Sequence, residues 1–450
     1  MSQNLKRTLK LPDAISVVAG SMIGCGIFIV SADIARQVNS GALLILTWIL
    51  AGFITLCGGL SLCELAANIT EEGGQYVFLK KIFNDKIAFL YGWTLFLVIQ
   101  TGTIAAICVA FAKFFGILVP FINSTNTLFS IGFYSFSTQQ LFAILTVVIL
   151  SYINSRGIKY GVLTQNIFTI TKVLSLSGLI IIGLLFGFKF STLQQNFLMP
   201  INFSFETINI LAVAIVGALF ASITWNNITF IAGEVKNPER NIPKALLYGV
   251  ILVVSLYLLT NMTYLSVLPL EEIQFAEQDI VAAQTIQHIF GQIGKYIIAL
   301  IIMISAFGCA NGMILTGSRV YYKMSKDRAF FRPLAAINRK TKVPVNSLWA
   351  QCIWICILIL WGNYSELLDF VIYASLIFYI LVTYGIFIYR KKYPNKSKHF
   401  KINNFFPITF LVFATYIVIC LSIYKPMYTL PGLIITLAGI PVYNIWKKNN

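Results

Sequence analysis

Gly20-Ser21-Met22-Ile23-Gly24-Cys25-Gly26-Ile27-Phe28 punctuates the first long apolar run of the chain with glycine. A second interruption, Gly217-Ala218-Leu219-Phe220-Ala221-Ser222-Ile223-Thr224-Trp225-Asn226, falls in the sixth such run, about 200 residues later. In hydrocarbon, a broken helix exposes peptide N–H and C=O groups that lipid cannot pair. Such a break is tolerated where it lines a cavity that something polar visits.

The surrounding composition makes hydrocarbon the relevant solvent. Of 450 residues, 58% are hydrophobic and 11% charged, and the mean hydropathy is +0.81. A water-soluble fold cannot bury that much apolar surface. Twelve apolar segments can be read, near 14–35, 41–66, 87–119, 141–155, 161–188, 207–233, 245–268, 294–322, 347–362, 367–389, 405–424 and 430–446. Most exceed the roughly 20 residues needed to cross about 30 Å of hydrocarbon, while segments 4, 9 and 12 are short. The predicted class is an all-α integral membrane protein with about twelve transmembrane helices in a single domain. The first segment is long for a signal peptide and is expected to be retained as a span.

A net charge of +17 raises the question of nucleic acid, but its placement answers otherwise. With the N-terminus in the cytosol, 27 of the 33 Lys and Arg fall on cytosolic loops and tails, including Lys6, Arg7, Lys10, Lys447 and Lys448. Arg36, Lys113, Lys189, Lys295 and Lys425 fall outside, and Lys172 lies within a segment. This is the positive-inside asymmetry, so both termini are expected in the cytosol and no nucleic-acid partner is required. None of the eight cysteines lies in an outside loop, so no exofacial disulfide is expected. His288 and His399 are isolated, and no nucleophile–His–acid set, metal-ligand spacing or phosphate loop is present. The chain is therefore read as a non-enzyme without metal or cofactor.

The interruptions fall in segments 1 and 6, which suggests one five-helix unit used twice. An odd helix count inverts the second copy and opposes the two breaks at the bilayer midplane. The unit boundaries are then about 13–188 and 207–391, with a peripheral pair at about 404–446. Gly24 and Ser222 both lie roughly 15 Å deep at the helical rise per residue. Splitting segment 1 frees the N–H groups of Gly24, Cys25, Gly26 and Ile27 at a positive dipole end, which suits a carboxylate. Free carbonyls around Ser21 and Met22, and around Phe220, Ala221 and Ile223, suit an ammonium group. Together they form a receptor for the α-carbon end of an amino acid. Glycines at this spacing also make helix contact faces, a competing reading of Gly20, Gly24 and Gly26.

Other residues carry paired readings. Phe220 is a candidate gate over the substrate or ordinary aromatic core, and Asn226 a polar member of the second break. Lys172 lies too deep to snorkel, so it needs carbonyl or carboxylate partners or loses its proton. It is read as a built-in cation in place of sodium, as a proton carrier, or as a lysine lining an aqueous vestibule. Glu64, Glu234 and Asp327 are read as solvated helix ends, with inward-gate latches the alternative. Glu71-Glu72-Gly73-Gly74-Gln75-Tyr76 leads into Val77, Phe78, Leu79 and Phe83, a spacing that suits an interfacial amphipathic helix. A short surface helix is expected within 269–293.

These residues resemble the amino acid–polyamine–organocation superfamily, and within it the L-type amino acid transporter branch, over nearly the whole chain. The signature G-[ST]-x-I-G-x-G-I-F is Gly20 to Phe28 here. Further matches are Glu64 with Gly73-Gly74-Gln75-Tyr76, Phe220-Ala221 with Trp225-Asn226, Glu234-Val235-Lys236-Asn237-Pro238 with Ile242-Pro243, and Asn311-Gly312 with Ser318-Arg319 and Pro344. The resemblance implies twelve helices in a LeuT-type 5+5 inverted repeat, discontinuous helices 1 and 6, and sodium-independent amino acid transport. It implies that Gly24, Cys25 and Gly26 meet the carboxylate, that Met22, Phe220 and Ile223 meet the ammonium, that Phe220 gates, and that Lys172 replaces sodium. Two departures bear on selectivity. Cys25 stands where a serine is usual, and Ser222-Ile223-Thr224 where an aromatic and glycines are usual. Residues 120–140 lack the cysteine through which animal relatives join a glycoprotein, so no disulfide-linked heavy subunit is expected.

The leading expectation is a permease of the cell membrane that exchanges neutral L-amino acids by alternating access, as a monomer or homodimer in the lipid bilayer. The alternatives are a proton-coupled symporter and a membrane amino acid receptor, against which the short tails speak.

Overall fold

A computed structural model describes residues 5, 7–131, 134–198, 204–361, 364–394 and 400–449; Lys6 and His399 lie outside them. The protein is built almost wholly of helices. Among the described residues, ten helices are long and apolar enough to cross a membrane, and an eleventh span is made by a bent pair, Leu11–Met22 and Gly26–Val38. In chain order these form segment 1 (the bent pair), segment 2 (Gly41–Asn68), segment 3 (Asp85–Leu118), segment 4 (Thr138–Ser155), segment 5 (Ile158–Gly187), segment 6 (Phe205–Phe230), segment 7 (Pro238–Val267) and segment 8 (Gln292–Lys326). Segment 10 follows at Tyr364–Lys392, segment 11 at Phe405–Tyr424 and segment 12 at Thr429–Lys447. Segment 9, Val345–Trp361, is a shorter apolar helix of 17 residues.

Local chemistry marks the ends of these helices. The Ser40 hydroxyl accepts from the Leu43 amide at 3.4 Å, and the Asn84 side chain accepts from the Ile87 amide at 2.9 Å. Ser137 and Gln140 form a reciprocal capping box at the start of segment 4, and Pro238 opens segment 7, where a missing N–H costs nothing.

Segment 5 shows how sequence periodicity sorts faces inside a bilayer. Leu163, Ile167, Ile170 and Leu174, at helical spacing, are exposed on the outer face of the bundle. Gln165, Thr169, Lys172 and Leu176 occupy the opposite face and are buried. The polar stripe faces protein and the apolar stripe faces lipid, the reverse of a soluble helix.

The helix Leu11–Met22 packs on segments 5, 7 and 8, whereas Gly26–Val38 packs on segment 6. Segment 2 lies along segment 7, and segment 3 along segment 8. Both interruptions are thereby enclosed by helices rather than presented to lipid.

The connections differ from expectation in two places. Residues 120–140 hold an antiparallel pair of strands, Thr127–Ile131 and Tyr134–Ser137, which the sequence reading did not anticipate. The helix Gln75–Ile82 exists, but Gln75 through Leu79 are buried, so it is enclosed by protein. The stretch 269–293 carries two short helices, Leu270–Gln274 and Val281–Phe290.

Candidate functional site

The break in segment 1 is where glycine content placed it. Ile23 adopts an extended conformation, Cys25 caps the next helix, and the two helical halves meet at 41°. The amides of Gly24, Gly26 and Ile27 find no acceptor among the described residues, and they sit at the positive end of a 13-residue helix. An anion placed there needs no basic side chain.

Segment 6 is interrupted differently. Gly217 through Ser222 remain α-helical, and the chain tightens into a 3-10 turn over Ile223–Asn226 before a last helical turn, Asn227–Phe230. The two interruptions touch: a Cβ added at Gly26 would lie 2.9 Å from the Cβ of Ala221. At Gly20, an added Cβ would lie 2.1 Å from both Gln165 Nε2 and Thr169 Oγ1. Gly20 and Gly26 therefore do serve close helix approach, as the competing reading held. Gly24 has more room, with Cys309 Sγ 3.3 Å from its virtual Cβ.

The carbonyls at the breaks are not free, contrary to expectation. The Tyr257 hydroxyl from segment 7 lies 3.0 Å from both the Met22 and the Ala221 carbonyl oxygens, linking the two breaks. One hydroxyl carries one proton, so the two carbonyls share it and retain lone pairs for a further donor. Tyr379 on segment 10 donates to the Ile223 carbonyl at 2.7 Å, and its ring stacks on Trp225 at 5.0 Å. The Phe220 carbonyl accepts from the Ile223 amide, and the Ser21 carbonyl from Cys309 Sγ at 2.8 Å. Buried carbonyls take available partners, and aromatic and thiol side chains of segments 7, 8 and 10 supply them. Tyr257, Tyr379, Ser305 and Cys309 escaped the sequence reading. Their signal is a polar atom inside an otherwise apolar segment, which many structural residues share.

Lys172 is fully buried. Its ammonium donates to the carbonyls of Gly20, Ile23 (2.6 Å) and Ser305 (3.4 Å). The Ser305 hydroxyl adds bonds to the Ile23 and Gly24 carbonyls at 3.2 and 3.0 Å. Gln165 and Thr169, on the same face of segment 5, both donate to the Ser16 carbonyl. A row of donors thus fastens segment 5 to the first half of segment 1, with its charge at the break. Ser21 is buried with its hydroxyl unpartnered; Asn226 is buried in the 3-10 turn, and Phe220 is half-buried.

The expectation of solvated helix ends at Glu64, Glu234 and Asp327 is corrected. Glu64 is fully buried, receives two bonds from Arg390 at 2.7 and 2.6 Å and accepts the Ile402 amide at 2.9 Å. Glu234 pairs with Arg319 at 3.1 Å, both almost without exposure. Asp327 meets Lys80 at 2.9 Å. The Thr8 and Leu9 amides bond the Glu234 carbonyl, which lays the chain ahead of segment 1 against the turn after segment 6. Neighbouring Glu71 takes Lys81 at 2.5 Å and Lys323 at 3.1 Å. Burial raises the Glu71 carboxyl, but these two ammonium groups outweigh it and hold the pKa at about 2.

Among the described residues, no group of three His, Cys, Asp or Glu side chains is placed to hold a metal ion. The eight cysteines are free thiols.

Comparison with known proteins accords with this geometry. The chain is similar to the "Large neutral amino acids transporter small subunit 2" of Homo sapiens, with 28% identity over 98% of this chain and 80% of the relative. It is similar to the "Serine/threonine exchanger SteT" of Bacillus subtilis (strain 168), with 29% identity over 99% of this chain and 98% of the relative. It is also similar to the "Asc-type amino acid transporter 1" of Mus musculus, 26% identical over 98% of this chain and 81% of the relative. The profile of one family, described as amino acid permease, matches residues 9–442, and the chain belongs to that amino acid permease family.

Proposed function

We propose that this protein is a sodium-independent permease that exchanges neutral L-amino acids across the cell membrane by alternating access. The observation that carries the reading is the apposition of two interrupted helices with complementary ends. Free amides of Gly24, Gly26 and Ile27 suit the substrate carboxylate, with Cys25 between them. The carbonyls of Met22, Ala221 and Ile223 suit its ammonium. Phe220, at the last turn before the second break, is the proposed gate, with Ser21 and Asn226 flanking the receptor.

Lys172 supports sodium independence. Its ammonium already occupies the carbonyls of Gly20, Ile23 and Ser305, oxygens of the kind a sodium ion would need. Three relatives whose names describe amino acid transporters or an exchanger support the transport reading. In this reading segments 1–5 and 6–10 are the two halves of a LeuT-type inverted repeat, with segments 11 and 12 at the periphery. Both termini lie in the cytosol. The working unit is a monomer or homodimer without a disulfide-linked subunit.

Proteoliposomes loaded with a neutral amino acid are expected to take up labelled substrate much faster than empty ones, in sodium-free buffer. Equal uptake by empty vesicles, driven by an inward proton gradient, would instead establish proton symport. Saturable binding without flux would establish a receptor.

A further inference from the structure

Apart from the receptor, a groove of about 280 Å³, measured as room for the centre of a water-sized sphere, opens between segments 1, 6 and 11. It is lined by Gln37, by Glu206, Asn209, Ile210 and Val213, and by Tyr424. Glu206, Ile210 and Tyr424 are exposed, as are Phe205, Ile208 and Ile423 around them, so the groove lies on the lipid-facing surface of the bundle. Gln37, Glu206 and Tyr424 each sit within two residues of the end of their helix, which gathers the polar groups at one level. Ile210 and Val213 lie deeper, and the path from Glu206 to Val213 is about 10 Å along segment 6. A polar mouth above an apolar floor has the shape of a lipid lying head-up in a bilayer.

The mouth is rich in acceptors. The Glu206 carboxylate has no ion pair among the described residues, and nearby Arg36 is already taken by Asp33 at 3.6 Å and Asp279 at 2.6 Å. Gln37 gives its amide N–H to Asp33 at 2.7 Å, which leaves its carbonyl oxygen for the groove. The Tyr424 hydroxyl accepts from Asn209 at 3.0 Å and keeps a proton to donate.

We infer that this groove binds a phospholipid whose headgroup carries a primary ammonium. The ammonium brings a positive charge and three N–H donors to Glu206 and Gln37, a phosphate oxygen accepts from Tyr424, and an acyl chain lies along Ile210 and Val213. A choline headgroup carries the same charge but no N–H, so it forfeits the charge-assisted hydrogen bonds. The lipid touches the second half of segment 1, the first half of segment 6 and segment 11 at once, so bilayer composition reaches both interrupted spans. In the topology proposed above, this level belongs to the outer leaflet.

Phosphatidylethanolamine and phosphatidylcholine with the same acyl chains are the deciding pair. The purified full chain in detergent is titrated with each, and thermal unfolding is followed by tryptophan fluorescence, since a lipid that binds the folded state raises the unfolding temperature. Half of the full rise is expected at a concentration on the order of 3–10-fold lower for phosphatidylethanolamine. Glu206→Gln, an exposed change outside the receptor, should bring the two curves together. Val213→Phe, which fills the groove from below, should weaken the response to both lipids; if it fails to fold, Glu206→Gln decides. Soluble phosphoethanolamine at the same concentrations should give no rise, because it has no chain for the floor. Coincident curves for the wild type, a preference that survives Glu206→Gln, or an equal rise with phosphoethanolamine overturns the inference. Each of these leaves the permease reading standing, because exchange depends on the receptor and not on these side chains.

Discussion

A single ammonium group organises the break in segment 1. Lys172 reaches three carbonyls, and no other cation approaches them among the described residues. Lys172→Met removes the charge and its hydrogen bonds while keeping the stem, and exchange should fall on the order of tenfold or more. Lys172→Arg should not restore it, because a planar guanidinium does not fit a point-charge site. Uptake normalised to the amount of protein in the vesicles checks both. Gly26→Ala is the second residue-scale test. Its methyl would meet Ala221 at 2.9 Å and drive segments 1 and 6 apart, so uptake should drop on the order of tenfold through overpacking. Gly24→Ala, whose methyl would meet only the Cys309 side chain with its thiol at 3.3 Å, should be milder in the same assay. Lys172 was legible in sequence because a lysine that deep has few physical options. Tyr257 was not, because a tyrosine in an apolar helix says nothing of where its hydroxyl ends.

At the scale of elements, ion pairs tie the ends of segments 2 and 10 together, and segment 8 to the turn after segment 6. Glu234 and Arg319 are buried together, so removing one partner strands the other. Glu234→Gln is expected to destabilise the protein by about 3–5 kcal/mol, and Glu234→Leu with Arg319→Met to recover most of it. Thermal unfolding in detergent, followed by tryptophan fluorescence, checks the order. Glu71 supplies a pH test. Its pKa of about 2 lies below the ordinary 4.5, so its pairs with Lys81 and Lys323 contribute fully above about pH 4.5 and fade as pH falls towards 2. The stability difference between wild type and Glu71→Gln should therefore be flat from pH 5 to 8 and shrink only in acid, measured by the same unfolding assay. Sequence placed these acids at helix ends beside basic residues. It did not show burial, because their partners Arg390 and Arg319 come from segments distant in the chain.

The whole molecule was the most legible scale. Hydropathy located most of the apolar segments to within a few residues, because bilayer thickness sets a minimum apolar length for a span. Segment 9 is short in sequence and short in structure. The strand pair at Thr127–Ile131 and Tyr134–Ser137 was missed, since loops outside the bilayer obey no such rule. The positive-inside topology makes a direct prediction. Ser124→Cys, in an exposed outer loop, should react with an impermeant thiol reagent on intact cells. Lys340→Cys, in the basic loop after segment 8, should react only after permeabilisation. The native cysteines leave a low background, being buried except for half-buried Cys356.

The unequal build of the two interruptions has a mechanical corollary. Segment 1 is a joint: between Ile23 and Cys25 it can swing without changing the length of either arm. Segment 6 is closer to a spring, since 3-10 coiling rises about 2.0 Å per residue against about 1.5 Å for α, and rewinding the four residues Ile223–Asn226 would shorten it by about 2 Å. One arm pivots while the other contracts, so the inner and outer mouths of the pathway need not open by mirror-image strokes.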